Sequence, residues 1–336
     1  MKTKPLKLAV IYDPKCPKLV EGAYSRTYLD MFEAVLARFK DVQHITDCCS
    51  AQDIEADVIL IYDIHSAHHI EIDGLAKHKA TKYTYFNDPY QKGVEGAYLE
   101  SNIYVCKLGA KRRTRRALAR GVDYIICPYK NLYREHIAPH IGTDAEQMLF
   151  WFPTAPSVKR FKNRARPLAE RRHKILANGI TWGGNGDYDF RKWAYAQKNS
   201  FFVKHTGIRP DVPGGAGYGD FLAGFTGSLA LCENRIVPKY LEIPLAGCVC
   251  FAQDQEDYRD MGFVHGENCW IFLDCNQAGS YNASTEAFLE CPDFAKVYQP
   301  VADAGRKLIE DNWTAEHFAD AFYNHALKRA QPNSKG

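Results

Sequence analysis

Lys239 and Glu242 stand three residues apart in the run ENRIVPKYLEIPLAGCVCFAQD, residues 233 to 254, and a site can be built around them. A spacing of three puts both side chains on one face of a helix. The surrounding helix is apolar, so opposite charges near its start are either a solvated ion pair, worth little to stability, or the grip on a ligand. As a grip the chemistry is specific: an ammonium faces a pyrophosphate as a point charge, and a carboxylate accepts the hydroxyl protons of a ribose. Spacing alone leaves both readings open.

The segments around this helix point the same way. Glycine-rich polar stretches recur beside apolar runs: TWGGNGDYD after HKILANG, TGIRPDVPGGAGYG after FFVKH, and HGEN before CWIF. Glycine lets backbone amides approach an anion, which makes a phosphate-bearing ligand the expectation, although the same residues also serve ordinary turns.

These segments need a scaffold, and composition supplies one. The chain has 336 residues, 46% hydrophobic and 25% charged, which excludes disorder and favours two domains. A net charge of +3 argues against a protein that coats nucleic acid over its whole surface. Cations concentrate in KRRTRRALAR, Lys111 to Arg120, where a solvated helix face, an anionic acceptor, a lipid surface and nucleic acid all remain open. Eleven cysteines, several inside runs such as GCVCFA and YIICP, read as small buried hydrophobes of a reducing compartment. No CxxC pair occurs, so no metal site is expected. No apolar run approaches the roughly 18 residues of a membrane span, and a cytoplasmic protein is expected.

Short apolar runs alternate with amphipathic segments along the chain, the signature of an α/β fold with parallel sheets. LKLAVIY, DVILIY, TKYTYF, VDYIIC and QMLFWF predict strands of an N-terminal domain over residues 1–155, with YSRTYLDMFEAVLARF as its first long helix. Residues 156–171, rich in Pro and Arg, predict a linker. The alternation resumes over 172–313 with HKILANG, SFFVKH, SLALCE, CVCFAQ and ENCWIFLD as strands. Residues 314–336 predict a closing helix and tail, with Thr314 as its N-cap. The architecture expected is two Rossmann-like domains with ligands at the carboxyl ends of the strands, in a cleft between them.

The run NRIVPKYLEIPLAGCVCFAQDQEDYRDMGFVHGENCWIF resembles the nucleotide-sugar signature of GT-B glycosyltransferases, particularly the spore-maturation-protein-like and exostosin-like branches. A basic residue, an aromatic-x-Glu, a small-residue helix end, a strand, an acidic loop and a GEN turn occur in the same order. Lys239, Glu242, Ala246, Gly247, Gly266, Glu267 and Asn268 fall on that pattern. DYDFRKWA and VKHTG are similar to upstream segments of the family and bring in Arg191 and His205. The resemblance covers roughly residues 172–330.

The resemblance implies transfer of a sugar from a nucleoside diphosphate sugar to an acceptor hydroxyl, with no metal or other cofactor required. Glu242 would bind the ribose, Lys239 and Arg191 the diphosphate, His205 the base or phosphates, and Gly247 would close the donor-binding helix. Such enzymes take a base from the N-terminal domain, where Asp63, His65 and Asp88 follow strands directly. Asp88 equally fits a turn cap before Pro89. Glu233 and Glu242 flank eight residues where retaining members have seven, leaving the stereochemical outcome open. The implied partners are the nucleotide-sugar donor and a glycan, lipid-linked or other hydroxyl acceptor, with peripheral contact to an anionic membrane surface allowed by the basic run. Two rival expectations stand beside this one: a catalytically inactive nucleotide-binding or regulatory protein of the same fold, and a nucleic-acid-binding protein using the basic patch.

Overall fold

The computed structural model describes residues 5–16, 19, 26–62, 70–87, 110–181, 188–203, 213–215, 217–233, 235–272 and 276–330. The chain divides into two compact units. Unit 1 comprises Met1–Val20, Phe32–Pro153 and Phe318–Gly336, and unit 2 comprises Glu21–Met31 and Thr154–His317.

Unit 1 is built on strands β1 (Lys7–Ile11), β2 (Asp41–Ile45), β3 (Cys49–Ser50), β4 (Val58–Ile61), β5 (Ile72–Asp73), β6 (Thr81–Tyr85), β7 (Tyr124–Cys127) and β8 (Leu149–Trp151). Six of them form a parallel sheet in the order β2-β1-β4-β6-β7-β8, and β3 pairs with β5 apart from it. Every residue of β4, VILI, is buried, as an uninterrupted apolar run in a doubly covered parallel sheet should be. The helix Thr27–Arg38 begins in unit 2 and continues into unit 1, where Phe32 packs against Tyr12 and Tyr62. The last helix, Ala315–Ala330, also passes from unit 2 into unit 1. There Phe322 meets Tyr83 edge-on at 4.9 Å, and the Tyr83 hydroxyl lies 2.7 Å from His325 Nδ1.

Unit 2 contains β9 (Arg172–Asn178), β10 (Ser200–Val203), β11 (Phe225–Ala230), β12 (Val249–Gln253) and β13 (Trp270–Phe272), all parallel, in the order β10-β9-β11-β12-β13. Ile175, Leu229, Val249, Phe251, Phe272, Phe288 and Tyr298 form its core. Residues 156–171 fold as two 3₁₀ turns, Val158–Arg160 and Leu168–Glu170, with Phe161 and Leu168 fully buried.

Two helices, Gln277–Glu290 and Phe294–Asn312, occupy a stretch to which the sequence patterning assigns no element. The first is rich in Gly, Ser, Asn and Thr, which are weak helix formers, and the second carries Pro300 in its interior. Contacts with Phe251 and Trp270 through Phe288 and Tyr298 stabilise what local propensity does not.

No disulfide joins the described cysteines. Burial pushes the Cys248 thiol up to about 11 and that of Cys250 to about 12, so both serve as protonated packing groups. No helix among the described residues is long and apolar enough to cross a membrane.

Candidate functional site

Two buried basic side chains, Lys239 and Arg191, meet at the carboxyl ends of the neighbouring strands β9 and β11. Asn178, the last residue of β9, is fully buried, and its side-chain amide donates to the Tyr218 hydroxyl at 3.3 Å. Its carbonyl accepts from the Tyr195 hydroxyl at 2.5 Å and also from Lys239 Nζ. Lys239 Nζ donates a second bond to Asn178 Oδ1 at 2.8 Å. Arg191, on the helix Asp189–Tyr195, sends Nε 2.8 Å to the Leu231 carbonyl after β11 and Nη1 3.0 Å to the Ile180 carbonyl after β9. Its guanidinium lies 4.0 Å over the Tyr188 ring.

Neither cation pairs with a carboxylate among the described residues; both are held by carbonyl oxygens. That is costly for charge, because a carbonyl dipole offsets only part of the hydration that burial removes. Burial, and secondarily the adjacent Arg191 charge, hold the Lys239 amine well below the ordinary lysine range, with Glu242 opposing. Gly179 makes the approach possible. At φ +117° it adopts a backbone that side-chain-bearing residues avoid, and a Cβ there would stand 3.0 Å from Lys239 Nζ and 3.8 Å from Arg191 Nη1.

Glu242 shares the helix Lys239–Leu245 but faces a different set of groups. Its Oε1 accepts from Thr27 Oγ1 at 2.7 Å and from Arg160 Nη2 at 3.3 Å. Arg160 in turn donates through Nε to Asp30 Oδ2 at 2.5 Å and through Nη2 to Thr27 Oγ1 at 3.1 Å. The side chains of Arg160, Asp30 and Glu242 are at most 4% exposed. Glu242 Oε2 makes no such bond. Asn178, Arg160, Thr27 and Asp30 are absent from the sequence expectations. Only the Asn-Gly ending of HKILANG hinted at one of them.

The structure therefore brings Lys239 and Arg191 together and places Glu242 on the same helix within electrostatic reach of Lys239. Gly247 is elsewhere. It follows that helix, precedes β12 at the strand's amino end, and has φ +72°; a Cβ there would stand 2.2 Å from the Arg164 carbonyl oxygen and 2.8 Å from Arg171 Nη2. Its place is a tight turn against Arg171, whose Nη1 donates to the Ala246 carbonyl at 2.9 Å. The GEN turn is likewise closed on itself, Asn268 bonding Val264 N and the Gly262 carbonyl. Asp63, His65, Asp88 and His205 lie outside the described residues.

The basic run forms the helix Ala110–Ala119 in unit 1. Arg113 is buried, its guanidinium 4.4 Å over Phe86 with Nη1 donating to the Asn87 carbonyl, while Arg116 and Arg120 pair with Glu71. Arg113, Arg116 and Arg120 thus have partners within the protein. Among the described residues no group of three or more His, Cys, Asp or Glu side chains is arranged to hold a metal ion.

No family model and no curated protein matches the sequence. Solved structures do match the fold. AviGT4, a glycosyltransferase involved in avilamycin A biosynthesis, superposes with a TM-score of 0.59 at 11% identity, over 97% of this chain and 98% of that one. A glycosyltransferase from Rickettsia africae gives 0.57 at 9% identity, over 97% and 100%. Anabaena HepE in complex with UDP-glucose gives 0.56 at 11% identity, over 96% and 100%. At such identities the likeness speaks to architecture, and by architecture this chain has the two-unit α/β GT-B fold.

Proposed function

We propose that the protein is a glycosyltransferase that moves a sugar from a nucleoside diphosphate donor to an acceptor hydroxyl, with unit 2 holding the donor. The observation that carries this reading is the pair Lys239 and Arg191. Two buried basic side chains fixed to carbonyls at the ends of neighbouring strands, neither bonded to a carboxylate among the described residues, form a site that an anion completes. On a GT-B fold, and with HepE solved in complex with UDP-glucose, the anion proposed is the donor's diphosphate. Glu242 Oε2 would accept ribose hydroxyls, while Arg160 and Thr27 fix the carboxylate's other oxygen. His205 is proposed near the base or phosphates.

The departing diphosphate gains negative charge as the glycosidic bond breaks, and the charges that Arg191 and Lys239 carry in the filled site, held in place by carbonyl oxygens, stabilise that charge more than they stabilise the intact donor. The reaction is proposed to run without a metal on that account. Asp63, His65 and Asp88 are the proposed sources of the base that deprotonates the acceptor.

The test is a thermal-shift and calorimetric screen of uridine, guanosine, adenosine and cytidine diphosphates, followed by turnover assays of the matching sugar nucleotides with and without chelator. One nucleotide should stabilise the protein, Glu242→Ala should abolish most of the gain, and one of Asp63→Asn, His65→Ala or Asp88→Asn should lower kcat with donor affinity retained. A flat response to all four nucleotides would remove the reading.

A further inference from the structure

Lys239 is fixed in a way that counts its hydrogens. Nζ makes two hydrogen bonds, both to Asn178, one to the carbonyl and one to the side-chain oxygen, and no third bond to any of the described residues. A neutral amine has two N–H groups and a lone pair; an ammonium has three N–H groups. Asn178 alone satisfies the neutral form completely, and no described residue accepts the third hydrogen of the ammonium.

The groups around it act in the same direction. Arg191, from the helix Asp189–Tyr195, brings a permanent positive charge beside Gly179. Tyr195 and Tyr188 come from the same segment, Tyr218 from the helix Gly217–Leu222, and Cys232 lies beyond β11. Burial pushes the Tyr195 hydroxyl up to about 12, so it brings no negative charge near neutrality. Among the described residues the one carboxylate acting on Lys239 is Glu242 on its own helix, and its Oε1 is already engaged by Arg160 and Thr27. Desolvation and the Arg191 charge together outweigh Glu242 and favour the neutral amine.

The geometry points to proton-coupled donor capture: the diphosphate enters together with one proton, which Lys239 Nζ takes from solvent. A solvent or buffer acid gives its proton to the amine lone pair, and the new N–H donates to a phosphate oxygen. No other bond forms or breaks. When the diphosphate leaves, the proton returns to solvent. This inference rests on the proposal that unit 2 binds a nucleoside diphosphate, and it adds that the positive charge on Lys239 is made by the ligand and is not waiting for it. The ligand's affinity then falls as pH rises, by up to tenfold per unit while Lys239 is neutral in the empty site and protonated in the filled one.

The experiment is calorimetric titration of the full chain with the four nucleoside diphosphates at pH 8, above the ligand's own last ionisation near about 6. Each titration is run in two buffers of different ionisation enthalpy. The difference in apparent enthalpy should correspond to uptake approaching one proton per nucleotide bound. Lys239→Met should bind more weakly with no uptake, and Lys239→Arg, permanently charged, should also show none. Thermal melts of both variants establish that they are folded. Binding with equal enthalpy in both buffers overturns proton capture and leaves the donor site standing; no binding of any nucleotide overturns both.

Discussion

The guanidinium of Arg160 reaches Glu242 across 82 positions of sequence, Nη2 to Oε1 at 3.3 Å, while its Nε lies 2.5 Å from Asp30. One buried cation thus serves two buried carboxylates. A surface pair of this kind would contribute little, but removing one member of a buried set leaves the others desolvated and uncompensated.

Arg160→Met is accordingly expected to cost about 3–5 kcal/mol at neutral pH, read from denaturant unfolding. The loss should shrink in acid. Burial already pushes the Asp30 carboxyl up, and Arg160 is the charge that pulls hardest against it. Without Arg160 the folded-state value rises further above the unfolded one, so stability is present below the unfolded range and lost as pH rises through the folded value. The gap between variant and parent should therefore narrow from pH 7.5 to pH 5. An unchanged gap would mean that Arg160 acts through packing alone.

The same cation should matter to ribose recognition. With Oε1 fixed by Arg160 and Thr27, Glu242 keeps Oε2 aimed without paying to order its side chain on binding. Glu242→Gln should weaken a nucleoside diphosphate by roughly 10- to 100-fold, the range for a lost charge-assisted hydrogen bond. It should bind the 2′,3′-dideoxy analogue about as the parent does. Equal loss for both nucleotides would place Glu242 away from the pentose.

Two glycines with left-handed backbones separate stability from binding. Gly247→Ala would press a methyl group against the Arg164 carbonyl at 2.2 Å, which backbone cannot yield, on top of roughly 1–2 kcal/mol for the left-handed conformation. Its melting temperature should fall sharply, with nucleotide affinity intact in the molecules that remain folded. Gly179→Ala meets the end of a flexible side chain, Lys239 Nζ at 3.0 Å. It should lose less stability and more nucleotide affinity, because the ammonium is displaced from Asn178. Matched effects in the two variants would contradict this division.

The contrast between these residues explains what was legible in the sequence. Inner strands such as β4, β7 and β12 lie in near-continuous apolar runs, because a parallel sheet covered on both faces demands them, and they could be read directly. Strand β2, an edge strand with the mixed sequence DVQHI, could not. Lys239, Glu242 and Arg191 stood out as charges at helical positions beside apolar segments. Arg160 and Asp30 did not, because nothing local distinguishes an arginine in a Pro- and Arg-rich stretch, or an aspartate in the first turn of a helix, from its solvated neighbours. Their joint role exists through contacts far apart in sequence, Arg160 with Glu242 across 82 positions and with Asp30 across 130. Gly247 shows the converse: motif order set it just after the helix that begins at Lys239, and that helix carries it to the opposite end of the strands from Lys239.

Two histidines give the fold a common acid sensitivity, one in each unit. His173 stacks on Phe294 at 3.7 Å, with its ring nitrogens at the Thr226 hydroxyl and the Leu289 carbonyl. His325 Nδ1 lies 2.7 Å from the Tyr83 hydroxyl, and its ring sits edge-on to Tyr124 and Phe150. Burial lowers both from the ordinary value of 6.5, and the Arg329 and Lys328 charges lower His325 further. A depressed histidine binds fewer protons folded than unfolded, so its contribution is complete above about 6.5 and is lost as pH falls toward the folded value. The denaturant midpoint should decline between pH 7.5 and pH 5.5. His325→Asn should start from a lower midpoint and decline less over the same window, since an amide has no proton to gain. A variant whose slope matches the parent's would show that His325 does not carry the effect.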